Sequence, residues 1–272
     1  MSFILRVAVL NLRHNADRWP ERLPVIVEEL ARERPHLVGL QEVHIPIDQA
    51  ALLTARLNEA CAGGTLPGSS PGEPHRGPYD YRQQPKMGAE GLREGIAMLS
   101  SLPMEEHGWL DLGGGSRVAQ RLRVRLPEGQ AVDLYNTHLH HEWLAHALRR
   151  DQAARLLEWM KECSTEAFPI LVGDLNAEPD SPAVRVLKRW LVSAYEAANG
   201  REPECTFPTP LVARDIPWHG TLDYILLPPP VGRVSLLRAW RAFERPSAHD
   251  PNLYASDHYG LMADVAFGGS AQ

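Results

Sequence analysis

The sequence contains little cysteine and no long apolar run, and both absences exclude whole classes of protein. Its three cysteines, Cys61, Cys163 and Cys205, lie far apart and without CxxC spacing, which excludes a disulfide framework and a four-cysteine zinc site. No stretch approaches the ~18 apolar residues that cross a bilayer. The apolar segment Ile4–Leu10 is interrupted by Arg6 and is too short for a signal peptide. We therefore expect a cytoplasmic protein without a membrane span.

Basic residues are outnumbered as well, since 28 Lys and Arg stand against 34 Asp and Glu, a formal net charge of −6. Broad, charge-driven binding of nucleic acid uses a basic surface, so the balance does not favour nucleic acid as a partner, although a local basic patch would permit it. The contents of 44% apolar and 23% charged residues are typical of globular proteins. A length of 272 residues suits one core, so we expect a single domain over 1–272. The oligomeric state is left open.

Hydrophobic periodicity predicts an α/β chain that opens strand–helix–strand. The β-branched run Ile4–Asn11 predicts a strand, the helical spacing in Pro20–Arg34 predicts a helix, and His36–Gln41 predicts the next strand. Further helices are predicted at Ile47–Ala60, Trp143–Glu162 and Ser181–Leu191, and further strands at Gly95–Leu99, His107–Leu112, Val118–Leu126, Ala131–Leu139, Pro169–Asp174, Leu222–Leu227, Val234–Phe243 and Leu261–Phe267. Many strands with few helices favour two stacked sheets with helices outside.

Three further expectations concern a loop, one face of a helix and a pair of aromatic residues. Gly63–Pro78 is dense in turn-forming residues and predicts a long surface loop. The arginines of the helix predicted at Trp143–Glu162 are expected on its solvated face; they are Arg149, Arg150 and Arg155. Trp218 and His219 could either line the mouth of a site or pack against the core.

Polar residues gather where the predicted strands end. They are Asn11, Gln41 and Glu42, Asn136 and His138, Asp174 and Asn176, Asp223 and Tyr224, and Asp257 and His258. Each group has an ordinary structural interpretation when taken alone; Asp174 and Asn176, for example, could simply shape a turn. Because ligands of α/β proteins bind at strand ends, six such clusters together indicate one site.

The residue types in these clusters point to a narrow chemistry. Glu42, Asp174 and Asp257, with the amide oxygens of Asn11 and Asn176, are hard donors that suit Mg²⁺, Mn²⁺ or Ca²⁺. A hard divalent ion neutralises charge on a phosphoryl group, and a carboxylate or histidine can deprotonate the attacking water. A further imidazole or amide can stabilise the charge of the transition state. The pattern therefore indicates hydrolysis of a phosphate ester.

Five motifs resemble the endonuclease/exonuclease/phosphatase superfamily, with its deoxyribonuclease-like fold, and they follow the order found in that family. They are LQE at Leu40–Glu42, NTH at Asn136–His138, GDLN at Gly173–Asn176, LDYI at Leu222–Ile225 and SDH at Ser256–His258, with Asn11 ahead of them. The resemblance implies a four-layer α/β/β/α sandwich in which two mixed, mainly antiparallel sheets pack face to face. It places the site between the upper edges of the two sheets.

The resemblance also implies roles for the metal ligands. By motif position, Glu42 would be the principal ligand with Asn11 beside it, Asp257 would assist the metal or the water, and Glu94 would be a supporting carboxylate. The implied cofactor is Mg²⁺, with Mn²⁺ as the alternative.

The remaining motif positions would act on the substrate. Asp174 would align or activate water, and His258 would bind the scissile phosphate or act in acid–base catalysis while Asp223 orients its ring. His138 would be a further catalytic residue. Residues expected to contact substrate or phosphate are Asn136, Asn176 and His140. His140 stands where many relatives carry an acidic residue, so it could instead favour Mn²⁺ or Zn²⁺.

Together these inferences predict a divalent-metal-dependent hydrolase of phosphate esters. A phosphodiesterase is preferred, because diesters are the commonest targets of the family that the motifs resemble. A nucleic-acid endonuclease or exonuclease is the alternative, and a phosphomonoesterase or an inactive binding module ranks below both. A binding module that has lost activity should lack at least one motif residue, and none is missing.

Overall fold

A computed structural model describes residues 2–62, 78–213, 216–229 and 231–268. The strands in these ranges are β1 (Ser2–Asn11), β2 (Leu37–His44), β3 (Asp80–Pro85), β4 (Glu94–Ser100), β5 (Met104–Asp111), β6 (Val118–Arg125), β7 (Ala131–His138), β8 (Phe168–Asp174), β9 (Val192–Ser193), β10 (Asp223–Leu227), β11 (Val234–Ala242) and β12 (Gly260–Gly268). The α-helices are α1 (Trp19–Glu33), α2 (Gln49–Ala62), α3 (His146–Cys163), α4 (Pro182–Leu187) and α5 (Ala194–Asn199). Apart from Pro78, the loop predicted at Gly63–Pro78 lies outside the described residues.

The strands form two six-stranded sheets. The first has the order β11-β12-β1-β2-β4-β3 and the second the order β5-β6-β7-β8-β10-β9. Each sheet has one parallel pair, β1 with β2 and β7 with β8, and every other pair is antiparallel. The prediction of two mixed, mainly antiparallel sheets is therefore confirmed.

Apolar side chains divide the molecule into four layers. Val9 and Met98 of the first sheet pack against Leu134 and Val172 of the second, and this cluster fills the space between the sheets. A second cluster joins the first sheet to α1 and α2, and a third joins the second sheet to α3 and α4. Helices α1 to α4 thus cover the outer faces, as the four-layer prediction requires. None of the described helices has the length and apolarity needed to cross a membrane.

The two sheets approach closely at Gly39 of β2. A Cβ atom at this position would lie 2.3 Å from Val172 Cγ2 and 3.1 Å from Asn136 Oδ1, both in the opposite sheet. Any larger side chain would push the sheets apart at this point. Glycine at position 39 therefore permits the close contact that brings the strand ends of both sheets together.

Helix α3 begins later than predicted and corrects one expectation about its arginines. It starts at His146, and the preceding Trp143 and Leu144 are exposed. Arg149 was expected to be solvated, but it is 2% exposed, and its guanidinium donates to the carbonyl oxygens of His140 and Trp143 at 3.0 and 2.9 Å. An arginine in the first helical turn can reach back to the carbonyls of the segment before the helix. Its hydrogen bonds to these carbonyls replace those that it would otherwise make to water.

Three short elements were not predicted. Strand β3 has the polar sequence DYRQQP, strand β9 has only two residues, and α5 has six. The helix predicted to end at Leu191 ends at Leu187, although Ser181 does cap it by accepting from the Val184 amide at 3.3 Å. Pairing with a neighbouring strand or packing on a sheet stabilises such elements, so their own sequences carry little signal.

We predict that Asp264→Asn destabilises the fold by about 2 kcal/mol, because Asp264 is buried and accepts two bonds from Arg6, at 2.7 and 3.0 Å. Burial alone would raise the pKa of Asp264, but hydrogen bonds from Arg6 and Arg238 outweigh it and lower the pKa below 3.8. The carboxylate therefore stabilises the protein above pH 3.8, and this stabilisation is lost as the pH falls through the lower folded-state pKa. Urea unfolding at pH 7 and at pH 3 measures both effects. The exposed Asp151→Asn is the control, and equal stability of the two variants at pH 7 would contradict the prediction.

Candidate active site

The polar residues predicted at strand ends lie at one edge of the sandwich. In the parallel pairs, Asn11 of β1 is in register with Gln41 of β2, and His138 of β7 is in register with Asp174 of β8. Asp223 of β10 lies opposite Asp174 on its other side. Because both parallel pairs end at the same edge, the two sheets bring these side chains to a common place.

Asp174 is the residue at which the two sheets meet. Its carboxylate is 1% exposed, and Oδ2 accepts a hydrogen bond from Nδ2 of Asn11, in the other sheet, at 3.0 Å. The same Nδ2 atom lies 3.2 Å from Oε1 of Glu42. The Asn11 oxygen accepts from the Arg13 amide at 2.9 Å, so Asn11 bridges two carboxylates where we had expected its oxygen to face a metal.

Glu42 is placed in the cleft by a bulge in β2. The register between β2 and β4 shifts between Leu40 and Val43, and Glu42 adopts a positive φ of 49°. A positive φ is uncommon for a residue with a long side chain, and bulges of this kind redirect side chains near functional sites. The bulge therefore directs the Glu42 carboxylate toward Asn11.

His258 forms a buried pair with Asp223. Its Nδ1 lies 2.9 Å from Asp223 Oδ2, and its Nε2 lies 3.9 Å from Asp174 Oδ2. Burial alone would lower the pKa of His258, but the negative charges of Asp223 and Asp257 outweigh it and hold the pKa well above 6.5. These two carboxylates therefore favour the protonated form of the His258 imidazole.

His138 is buried beside Asp174 but has the opposite electrostatic character. Its Nε2 lies 3.5 Å from Asp174 Oδ2, and its Nδ1 lies 3.6 Å from Oε1 of Glu94. Burial and the positive charge of Arg117 lower the pKa of His138 to about 4. His138 is therefore neutral at pH 7, whereas burial of Asp174 raises the pKa of that carboxyl.

These groups surround a cleft of about 310 Å³. Its lining residues are Arg13, Glu42, His138, His141, Trp143, Asp174, Asn176, Phe207, Trp218, Leu222, Asp257 and His258. Six of the predicted site residues are thus in the lining, and Asn11, Glu94 and Asp223 lie directly behind it. Asn176 is held there by its backbone amide, which donates a hydrogen bond to Asp174 Oδ1 at 2.8 Å, and by its own Nδ2, which donates to the Leu139 carbonyl.

Two predicted contacts to substrate do not match the structure. Asn136 is fully buried, and its side chain is saturated: it accepts from Gln41 Nε2 at 2.6 Å and donates to the carbonyls of Leu40 and Ala97, both at 2.9 Å. Asn136 therefore joins the two sheets beneath the site. His140 lies beyond the end of β7, is only 9% exposed and is not in the cleft lining, because its ring packs against Gly115.

The first loop contributes two residues that were not predicted. Arg13 lines the cleft and forms ion pairs with Asp17 and Asp257. His14 lies between two carboxylates, with Nε2 at 3.2 Å from Glu42 Oε2 and at 2.9 Å from Glu94 Oε2. Their position directly after the strand-ending Asn11 was a usable signal.

Two buried cations near Glu94 could not be predicted from their positions in the sequence. Lys86 Nζ contacts Glu94 Oε1 at 2.5 Å, and Arg117 lies 3.9 Å from the same oxygen and 3.0 Å from Nδ1 of His141. Burial alone would raise the pKa of Glu94, but its contacts with His138 and His14 outweigh it and keep the pKa well below its usual range. Glu94 is therefore ionised, and its negative charge balances the positive charges of Lys86 and Arg117.

A third buried cation, Arg22 of α1, fixes the loops around the cleft. It is fully buried and donates to the backbone carbonyls of Leu12 at 3.0 Å, Ala16 at 2.7 Å and Ala255 at 2.8 Å. Burial lowers the pKa of Arg22 to about 10, so the guanidinium remains charged at neutral pH. Arg22 thereby connects the loop that carries Arg13 to the segment that precedes Asp257 and His258.

The donor set fits a hard divalent cation. One ligand atom each from Asp174, Asp223 and His258 lie within 4.8 Å of one another, and Glu42 and Asp257 add carboxylates to the cleft. Within the described residues, the buried Oδ1 of Asp223 has no hydrogen-bond partner. Carboxylate oxygens at this density are typical of Mg²⁺ or Mn²⁺ sites, which require hard oxygen ligands.

The four-layer sandwich and its carboxylate- and histidine-lined cleft define an α/β protein with its site at the strand ends. A sequence model of the Endonuclease/Exonuclease/phosphatase family matches residues 8–258, and the chain therefore belongs to this family. Members of this family are generally hydrolases of phosphate esters. No curated protein matches the chain significantly.

Solved structures share this fold at low sequence identity. The human Nocturnin catalytic domain with bound sulfate anion has a TM-score of 0.74 and 22% identity, with 97% of this chain and 94% of that chain covered. TDP2 of D. rerio complexed with a single strand DNA product has a TM-score of 0.75 and 18% identity, covering 96% and 98%. A family protein from Bacteroides vulgatus has a TM-score of 0.74 and 18% identity, covering 98% and 100%.

We predict that Asn136→Ala lowers the free energy of unfolding by about 2–3 kcal/mol, because Gln41 and two backbone carbonyls lose buried hydrogen bonds. Denaturant unfolding measures the loss, and the exposed Asn252→Ala is the control. If Asn136 instead contacted substrate, stability would be unchanged and only activity would fall.

Proposed function

We propose that the protein is a divalent-metal-dependent phosphodiesterase that promotes attack of water on phosphorus. The observation that carries this proposal is the meeting of Glu42, Asp174 and His258, from distant parts of the chain, around one cleft. Asp174 Oδ2 lies 3.9 Å from His258 Nε2, and it shares the Asn11 donor with Glu42. The family to which the chain belongs supports the same chemistry.

In the proposed site, Glu42 is the principal ligand of Mg²⁺, or alternatively of Mn²⁺. Asp257 is the second candidate ligand. To bind the cation, its carboxylate would have to share its charge between the cation and Arg13. Asn11 holds the Glu42 and Asp174 carboxylates together, and Glu94 stabilises the positive groups behind the cleft. When bound, the cation would neutralise part of the negative charge on the phosphoryl group.

The side chains of the chain itself carry the proton transfers in this proposal. The Asp174 carboxylate accepts the proton of the attacking water, and the raised pKa of Asp174 favours this role. His258, a cation oriented by Asp223, binds the phosphate oxygens and can donate a proton to the departing oxygen. His138 is uncharged at neutral pH, so it serves as a hydrogen-bonding group next to Asp174. The Asn176 amide completes the phosphate contact.

A diester is the preferred substrate, and a nucleic-acid end is the second candidate. The D. rerio TDP2 structure, which has the same fold, holds a single strand DNA product, and this favours the second candidate over a phosphomonoester. We also propose a reducing, cytoplasmic location, supported by three free cysteines. A single domain over 1–272 is proposed with it, supported by the family match over residues 8–258.

We predict that Asp174→Asn and His258→Ala each lower diester hydrolysis by at least about a hundredfold, because each removes a proton-transfer group. A panel of a diester, a monoester and single-stranded DNA, assayed with Mg²⁺, with Mn²⁺ and with chelator, measures the effect. The exposed His249→Ala, outside the cleft, should retain full activity. Activity that survives both substitutions, or that is insensitive to chelator, would refute the mechanism.

We predict that Glu42→Gln raises the Mg²⁺ concentration needed for half-maximal activity by about tenfold or more, because it removes a charged oxygen ligand. The melting temperature gives a second readout, since a cation that binds the folded state stabilises it. Mg²⁺ should raise the melting temperature of the wild type and have little effect on Glu42→Gln. Glu59→Gln, on the exposed surface of α2, is the control. An identical Mg²⁺ response of Glu42→Gln and wild type would exclude Glu42 as a ligand.

A further inference from the structure

One side of the cleft is formed by three aromatic rings, which we call the aromatic wall: Trp143, Trp218 and Phe207. The Trp143 and Trp218 rings lie 5.2 Å apart at an interplanar angle of 71°, and Phe207 lies 6.3 Å from Trp218. Phe207 in turn contacts the ring of His258 at 4.8 Å. The wall therefore runs without a break from the mouth of the cleft to a proposed phosphate-binding residue.

The outermost ring is exposed although its backbone is firmly held. Trp143 is 56% exposed and belongs to the segment between β7 and α3. Its carbonyl accepts from the buried guanidinium of Arg149 at 2.9 Å, so the position of this segment is fixed. A tryptophan with an open face on a fixed segment of a cleft offers a large apolar surface at low entropic cost. This is the behaviour of a binding residue.

The same cleft also carries charged groups, and the combination restricts the substrate. Glu42, Asp174 and Asp257 line the cleft together with His258 and the aromatic wall. A molecule that contacts both sets of residues carries a phosphate next to an apolar, flat group. The volume of about 310 Å³ is at the lower end of small-molecule sites, which suits one nucleotide-sized group.

We propose that the aromatic wall stacks a nucleobase attached through its sugar to the scissile phosphate, so that the substrate is a nucleotide-containing phosphodiester. This inference rests on the proposed function, because the wall belongs to the same cleft. Stacking is tolerant of base identity and needs no basic surface, which agrees with the net charge of −6. A quaternary ammonium group also binds to aromatic faces, so it is the competing ligand in the test.

Isothermal titration calorimetry with Mg²⁺ tests the proposal with a matched pair of probes, adenosine 5′-monophosphate and ribose 5-phosphate, which differ only in the base. The wild type should bind the nucleotide at least about tenfold more tightly. Trp143→Ala should remove most of this preference while it leaves the affinity for ribose 5-phosphate within about twofold. Trp143→Phe, which retains a ring, should keep part of the preference. Trp109→Ala removes a similarly exposed tryptophan outside the cleft and should change neither affinity.

Three outcomes would overturn the proposal. They are equal affinity of the wild type for both probes, a Trp143→Ala variant that weakens both probes equally, and tighter binding of glycerophosphocholine than of the nucleotide. The second outcome would assign the wall a structural role, and the third would assign it to a quaternary ammonium group. Tighter binding of the nucleotide than of ribose 5-phosphate, in a protein that hydrolyses no diester, would contradict the proposed function alone. Diester hydrolysis without a base preference would sink this inference alone.

Discussion

A carboxylate buried between two sheets needs donors from both of them, and Asp174 has such donors. It accepts from Asn11 of the first sheet at 3.0 Å and from the Asn176 amide of its own strand end at 2.8 Å. An uncompensated charge at this depth would be costly. Because Asn11 and Asp174 lie far apart in the sequence and in different sheets, the site can form only when both sheets have assembled. Folding and formation of the site are therefore linked through one side chain.

The surrounding structure keeps the sheets in the register that this arrangement needs. Gly39 allows the close approach, and Asn136 joins the sheets through hydrogen bonds to β2 and β4. The bulge at Glu42 turns its carboxylate into the space so formed, and Arg22 holds the two loops that border it. Each of these features lies just below or beside the cleft. The residues around the cleft thus hold the two sheets and the loops in position, which is a role distinct from any contact with substrate.

Sequence patterns predicted the strands that are apolar and the residues that end them, because a buried strand leaves a periodic signal and a polar strand end interrupts it. They did not predict which cations are buried. Arg22, Lys86 and Arg149 have the same local sequence signature as solvated arginines and lysines, and only the tertiary structure supplies the carbonyls and carboxylates that satisfy them. The polar strand β3 was missed for a related reason, since its pairing with β4 and not its composition stabilises it. The same limit explains Asn136, whose motif position does not reveal that its partners are all within the protein.

The two buried histidines beside Asp174 illustrate how environment separates identical side chains. Burial lowers the pKa of both, yet His258 faces Asp223 and Asp257, whose charges more than compensate, while His138 faces the positive charge of Arg117. The pKa values of the two imidazoles are therefore shifted in opposite directions. Groups whose pKa values are driven apart in one cleft are the usual basis of acid–base division of labour. This asymmetry supports the proposal that His258 meets the anionic phosphate, because a neutral His138 could not replace its charge.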